Sequence, residues 1–294
     1  MYRRIMVVIG DQSWSDAPVK YAMALAAETG AELSIVMVLI PPLMAGMSDV
    51  MACTLVVESI MAQSEILLAE ITALAEQAGI AYTTHVRWGS TADAVLRTTE
   101  EEDCDLIIVG SHACTWRGHR LLRHVIKKLT ACARQPLLVV TEPPEETYRG
   151  TSWERLLVVY DGSPEGEAVV RYARALAHEA ALEICLLHAH SLLQSYGIDS
   201  LRGMHSVEDM LTLTGARTAT TRVSDDVVLA SGDTVTAIVE TATDRACDVI
   251  ILGVEPHRGW KRLLYEHTAE AVMANTTLPI LLVNRLATYY YSWS

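Results

Sequence analysis

A short β-branched run that ends in glycine is a natural phosphate cradle, and this sequence holds two: Ile107-Ile108-Val109-Gly110 and Ile250-Ile251-Leu252-Gly253. Glycine at a strand end lets backbone amides approach an anion closely, and the next helix adds its own free amides. Asp161-Gly162-Ser163 follows the apolar run Leu156–Tyr160 and sets a carboxylate at another strand end. His188-Ala-His190 places two imidazoles on one face of a strand, a spacing open to a metal pair or a catalytic pair. His112, Cys114, His119 and His124 crowd one loop, but their spacing follows no standard zinc pattern. Met44, Met47 and Met51 lie beside Pro41-Pro42 and would suit an adaptable pocket for a hydrophobic ligand; loop packing is the simpler reading. Neither a nucleophile elbow, Gly-x-Ser-x-Gly, nor a Walker lysine motif occurs. No catalytic residue and no metal ligand is therefore assigned.

Composition narrows the field. Hydrophobic residues make up 51% of the 294 and charged residues 20%, which suits chains with well-filled cores. The formal net charge of −13 opposes binding to nucleic acid or an anionic membrane, although Arg117–Lys128 is locally basic. No apolar stretch reaches the roughly 18 residues of a membrane span. The opening Met1-Tyr2-Arg3-Arg4 runs straight into a strand-like segment without a small-residue cleavage site. Six cysteines without Cys-x-x-Cys read as buried, reduced thiols, and the expected location is the cytoplasm.

The elements that would position these residues come twice. Arg4–Gly10 parallels Arg155–Asp161, Cys104–Gly110 parallels Cys247–Gly253, and Pro136–Val140 parallels Pro279–Val283. Each is a short apolar run of the kind buried on both faces of a parallel sheet. Helical spacing predicts helices over Asp16–Thr29, Val56–Gln77, Thr91–Glu102 and Leu121–Arg134 in the first copy. The second copy has a helix opened by Ser163-Pro164, then Thr234–Arg245 and Leu263–Asn275. Its Leu192–Asp226 region, broken by Gly197, Gly203 and Gly215, predicts a shorter or irregular second helix. Glu142–Glu146 reads as a linker. The pattern predicts two domains, 1–143 and 152–285, each an open parallel five-stranded α/β sheet of Rossmann-like or flavodoxin-like type with helices on both faces. The aromatic tail with Tyr289, Tyr290, Tyr291 and Trp293 reads as a loose end or a docking segment.

The run Ile-Ile-Val-Gly-Ser-His112, a loop, Arg-Leu-Leu122, a helix and Gln-Pro-Leu-Leu-Val-Val140 resembles the C-terminal half of a universal stress protein domain. Leu-Leu-Val-Val-Tyr-Asp-Gly-Ser163 resembles that family's opening strand and turn. The resemblance covers nearly the whole chain twice, so the sequence is similar to the tandem branch of the family, whose fold is adenine nucleotide alpha hydrolase-like. It implies stress resistance as the biological role and ATP as the candidate cofactor. It implies ligand positions at Asp161, Gly162, Gly253 and His267 in the second copy and at Gly110, Arg123 and His124 in the first. The family's Gly-x2-Gly-x9-Gly-Ser/Thr pattern is only half kept. Ala113 and Arg123-His124 replace its later glycines and serine in the first copy, and Pro256 and Glu266-His267 replace them in the second. Pro256 has no amide to donate, and Glu266 brings negative charge. Gly10 stands where Asp161 stands, with Asp11 one residue late. His124 and His267 fall at the expected start of the last helix, where a capping or packing role is the simpler reading. His188 matches a position where the family often has histidine, which favours a structural role.

The function expected is a non-enzymatic stress-response protein that binds a partner or a small or hydrophobic ligand. The alternative is an ATP-binding regulatory switch or slow ATPase. A nucleotidyl transferase or hydrolase is the weakest reading. The resemblance also implies that the two copies form a pseudo-dimer through their last strands, Leu137–Val140 against Leu281–Val283, and that chains assemble further as a homo-oligomer.

Overall fold

The computed structural model describes residues 2–10, 16–41, 50–111, 119–141, 153–161, 164–189, 223–230, 233–254, 260–284 and 286–287. The chain clusters into two compact units, Tyr2–Leu129 and Thr130–Ser294. The first holds β1 (Arg4–Gly10), α1 (Asp16–Thr29), β2 (Glu32–Leu39), α2 (Val50–Gln77), β3 (Tyr82–Trp88), α3 (Thr91–Glu101), β4 (Leu106–Gly110) and most of α4 (His119–Cys132). The second holds β5 (Leu137–Val140), β6 (Arg155–Tyr160), α5 (Pro164–Ala180), β7 (Glu183–Ala189), β8 (Val223–Ala230), α6 (Thr234–Asp244), β9 (Val249–Val254), α7 (Trp260–Asn275) and β10 (Ile280–Asn284). The linker at Glu142–Glu146, nearly all of Leu192–Asp226 and the aromatic tail lie outside the described residues.

In the first unit β3, β2, β1 and β4 lie side by side and parallel. In the second the order is β5, β10, β9, β6, β7, β8, parallel except that β5 runs antiparallel to β10. A mostly parallel α/β architecture is therefore present. Two separate five-stranded sheets are not distinguished, because β5 groups with the second unit. Leu138 faces Leu281, and Leu137 faces Leu282, so the expected pairing of the last strands is formed. Thr141 Oγ1 donates to the Thr277 carbonyl beside it. Pairing hides an apolar strand whose bare edge would otherwise template aggregation.

The inner strands β1, β4, β6 and β9 are apolar along their length because helices cover the sheet, whereas β3 (Tyr82–Trp88) mixes polar and exposed side chains. Ile5, Met6, Val7, Leu106, Ile107 and Ile108 are fully buried, as are Leu156, Leu157, Val158, Ile250 and Ile251. Polar groups collect at the amino ends instead. Asp105 Oδ2 accepts from the amides of Arg3 at 2.5 Å and Arg4 at 3.0 Å. The Arg4 guanidinium donates to Glu32 Oε2 and to the Glu102 carbonyl, joining β1, β2 and the turn before β4. The second unit repeats the arrangement. Asp248 Oδ2 accepts from Glu154 and Arg155, both at 2.7 Å, and Arg155 donates to Glu183 and to the Arg245 carbonyl. Each arginine is held above its ordinary pKa by the hydrogen bond to its glutamate.

The helix ends repeat as well. After α1, α5, α3 and α6 an amide reaches back five residues, as from Ala31 to Ala26 and from Leu182 to Ala177. The residue before that amide is left-handed: Gly30 at φ 71° in the first unit, but Ala181 at φ 55° in the second. Gly110 on β4 and Gly253 on β9 are packed against helices. A Cβ on Gly110 would lie 2.6 Å from Pro18 Cγ of α1, and one on Gly253 would lie 3.0 Å from Val169 Cγ2 of α5.

Cys104, Cys185 and Cys247 are buried free thiols, while Cys132 is exposed. Burial pushes the Cys104 thiol up to about 12. A hydrogen bond with Cys185, followed by burial, pushes Cys247 up too.

Three outcomes are expected in urea unfolding. Asp105→Ala strips an ionised acceptor from two amides and costs about 3 kcal/mol or more. Gly110→Ala forces α1 away from β4 and costs about 1–3 kcal/mol in the ligand-free protein; an unchanged midpoint would show that the close packing against Pro18 relaxes freely. Ala181→Gly removes left-handed strain and adds up to about 1 kcal/mol.

Candidate functional site

In an open parallel sheet the ligand end lies beyond the carboxyl ends of the strands, where the strand order reverses. In the second unit that point falls between β6 and β9, and it brings Asp161 and Gly253 to the same end of the sheet. Tyr160 is the register partner of His188 on β7. Their ring centroids are 5.5 Å apart and tilted by 30°. The Tyr160 side chain is 1% exposed, whereas His188 is half-buried. Burial pushes the Tyr160 phenol up to about 12, with the charges of Glu167 and Asp161 adding to the shift. Tyr160 therefore stays uncharged at neutral pH.

Asp161 is 9% exposed. A Cβ on Gly166 would collide with Asp161 Oδ1 and press on the Tyr160 ring, so the carboxylate rests against the first turn of α5. The positive end of a helix dipole favours an anion there. That placement gives Asp161 a structural task at the strand end.

The equivalent positions of the first unit are different in kind. Ile9 and Met37 stand where Tyr160 and His188 stand, and both are buried apolar side chains. Gly10 takes the place of Asp161 and has open space where a Cβ would be.

The remaining predicted positions are spread along the last helices. These begin earlier than their apolar periodicity suggested, at His119 and Trp260 rather than Leu121 and Leu263. Arg123 and His124 are thus the fifth and sixth residues of α4, with His124 exposed. His267 is the eighth residue of α7, and Glu266 precedes it. Only the first four amides of a helix lack an internal partner. Gly162, Ser163, His190, Pro256, His112, Ala113, Cys114, Asp11, Met44 and Met47 lie outside the described residues. Among the described residues no group of three or more histidine, cysteine or acidic side chains could hold a metal ion. No helix among them is long and apolar enough to cross a membrane.

Reading by motif overlooked Tyr160 as a partner for His188, and it overlooked the Arg4–Glu32–Asp105 and Arg155–Glu183–Asp248 networks. The signal was present: identical charged residues recur at the same places in both copies although the sequence between them drifts.

Comparison with known proteins agrees with this architecture. The sequence model of the universal stress protein family matches residues 1–141 and again 152–284. A universal stress protein of Methanocaldococcus jannaschii is 25% identical over 146 residues, which span 50% of this chain and 86% of that protein. Among solved structures, a universal stress protein from Archaeoglobus fulgidus superposes with a TM-score of 0.72 at 18% identity, covering 96% of both chains. A functionally unknown protein from Pseudomonas aeruginosa reaches 0.63 at 18% identity, covering 99% of this chain and 95% of its own. These structural likenesses, at such identity, concern the fold. The two matched segments between them span nearly all of the sequence, and the chain belongs to the universal stress protein family, two of whose segments it carries in tandem.

Proposed function

We propose that the protein serves the stress response by binding rather than by turnover, with two domains, 1–143 and 152–285, that have diverged in what they can hold. The observation carrying this reading is the contrast at equivalent strand ends. Tyr160, Asp161 and His188 make a polar, partly buried end in the second unit, where Ile9, Gly10 and Met37 make an apolar one in the first. Binding of a small polar ligand falls to the second domain, at Asp161, Gly162, Gly253 and His267. Gly110, Arg123 and His124 are what the first domain retains. The phosphate motifs are degenerate on this reading. Pro256 lacks an amide and Glu266 repels phosphate, while Arg123, His124 and His267 lie beyond the four free amides of their helices. Of the two carboxylates whose charges reach Tyr160, Glu167 is paired with Arg171 at 3.6 Å, which leaves Asp161 as the residue offered to a ligand. Homo-oligomers of the tandem chain complete the proposal.

A second reading, an ATP-binding switch or slow ATPase, draws on one feature: Asp161 stands where the family places its adenosine-side aspartate. Calorimetric titration of the intact chain with ATP separates the two. On the first reading, ATP at about millimolar concentration gives no saturable heat and no ADP is released above buffer. Micromolar binding that weakens at least about tenfold in Asp161→Ala establishes the switch, and sustained ADP release overturns binding without turnover.

A further inference from the structure

Helix α2 is longer than the sheet it covers. Its 28 residues extend about 42 Å, against roughly 25 Å for the seven- and eight-residue strands beside it. Its second half is anchored, with Ser64, Ile71 and Ala75 buried. From Thr54 to Gln63 no side chain is buried.

The outward face is not polar. Leu55, Ser59, Ala62, Ile66, Ala69 and Ala73 alternate at four and three residues, the spacing of a helix–helix seam, and all six are exposed. Leu55 is 58% exposed and Ile66 63%. Large side chains so exposed on the face opposite the core are characteristic of an interaction surface. Glu58, Glu65 and Glu70 flank the seam, and α2 contains no lysine, arginine or histidine.

We infer that this face of α2 docks an amphipathic helix of another protein, one with an apolar seam flanked by lysine or arginine. The flanking charges select that occupant. Two α2 helices placed seam to seam would set Glu65 and Glu70 against further carboxylates, and like charges at these positions are repulsive. A basic helix turns the same residues into favourable pairs and is steered toward an acidic chain. This rests on reading the chain as a binding protein, but α2 contributes none of Tyr160, Asp161 or His188, so its failure would leave the strand-end site untouched.

The test uses the full chain and two labelled synthetic helices of about three heptads with the same Leu/Ala seam, one flanked by lysine and one by glutamate. The lysine-flanked helix should bind saturably with Kd near about 10 μM, and the glutamate-flanked one should not bind. Ile66→Glu should weaken binding at least about tenfold without moving the melting temperature, since Ile66 is mostly exposed. The added negative charge would strengthen a merely electrostatic attraction, so unchanged or tighter binding to Ile66→Glu overturns the inference. Absence of saturable binding overturns it as well. A homodimer of the wild-type chain that native mass spectrometry shows dissolving in Ile66→Glu overturns it in favour of a second copy.

Discussion

A carboxylate at the foot of each half, Asp105 in one and Asp248 in the other, accepts both amides at the start of a neighbouring strand, and the sheets depend on it. Strands such as Ile5–Val8 and Leu156–Val159 are apolar at successive positions. Sliding one by a residue would exchange one buried face for another at little hydrophobic cost, so burial alone fixes register poorly here. The charged feet break that degeneracy. Arg4 reaches Glu32 on one side and the Glu102 carbonyl on the other only in the observed alignment. The matching set around Arg155 fixes the second half in the same way.

That dependence explains what the sequence discloses and what it hides. The apolar runs and their repetition reveal β1, β4, β5, their counterparts β6, β9 and β10, and the tandem organisation; the meeting of Leu137–Val140 with Leu281–Val283 follows from the family resemblance, and its register from the structure. Register is hidden, because it resides in charged residues that look like ordinary solvated strand ends. The first described turns of α2, α4 and α7 are hidden for a related reason. Asp49 before Val50 is of a capping type, whereas only glycine stands before His119 and Trp260, and the apolar periodicity becomes regular only later in each helix. At the candidate site Asp161 is legible as a carboxylate after a strand. The pairing of Tyr160 with His188 is not, since it requires knowing that β6 and β7 run parallel with those two residues abreast.

The glycines teach caution about motifs. Gly110 and Gly253 open a family pattern associated with phosphate, yet each is also packed against a helix, tightly by Pro18 in one case and less so by Val169 in the other. A glycine retained for close packing survives the loss of a ligand. Its presence therefore says little about what the loop beyond it binds, and the side chains around Asp161 carry more of the functional argument.

The antiparallel bond between β5 and β10 joins two strands of a single polypeptide. In a symmetric homodimer every substitution is made twice, and both partners must tolerate it. Covalent linkage lifts that restriction and makes the pairing insensitive to dilution, since each strand meets the other at a high effective concentration. One half is then free to accumulate tyrosine, aspartate and histidine at its strand ends while the other keeps isoleucine, glycine and methionine there. Gene duplication within one chain thereby gives an asymmetry that a self-associating single domain could never evolve.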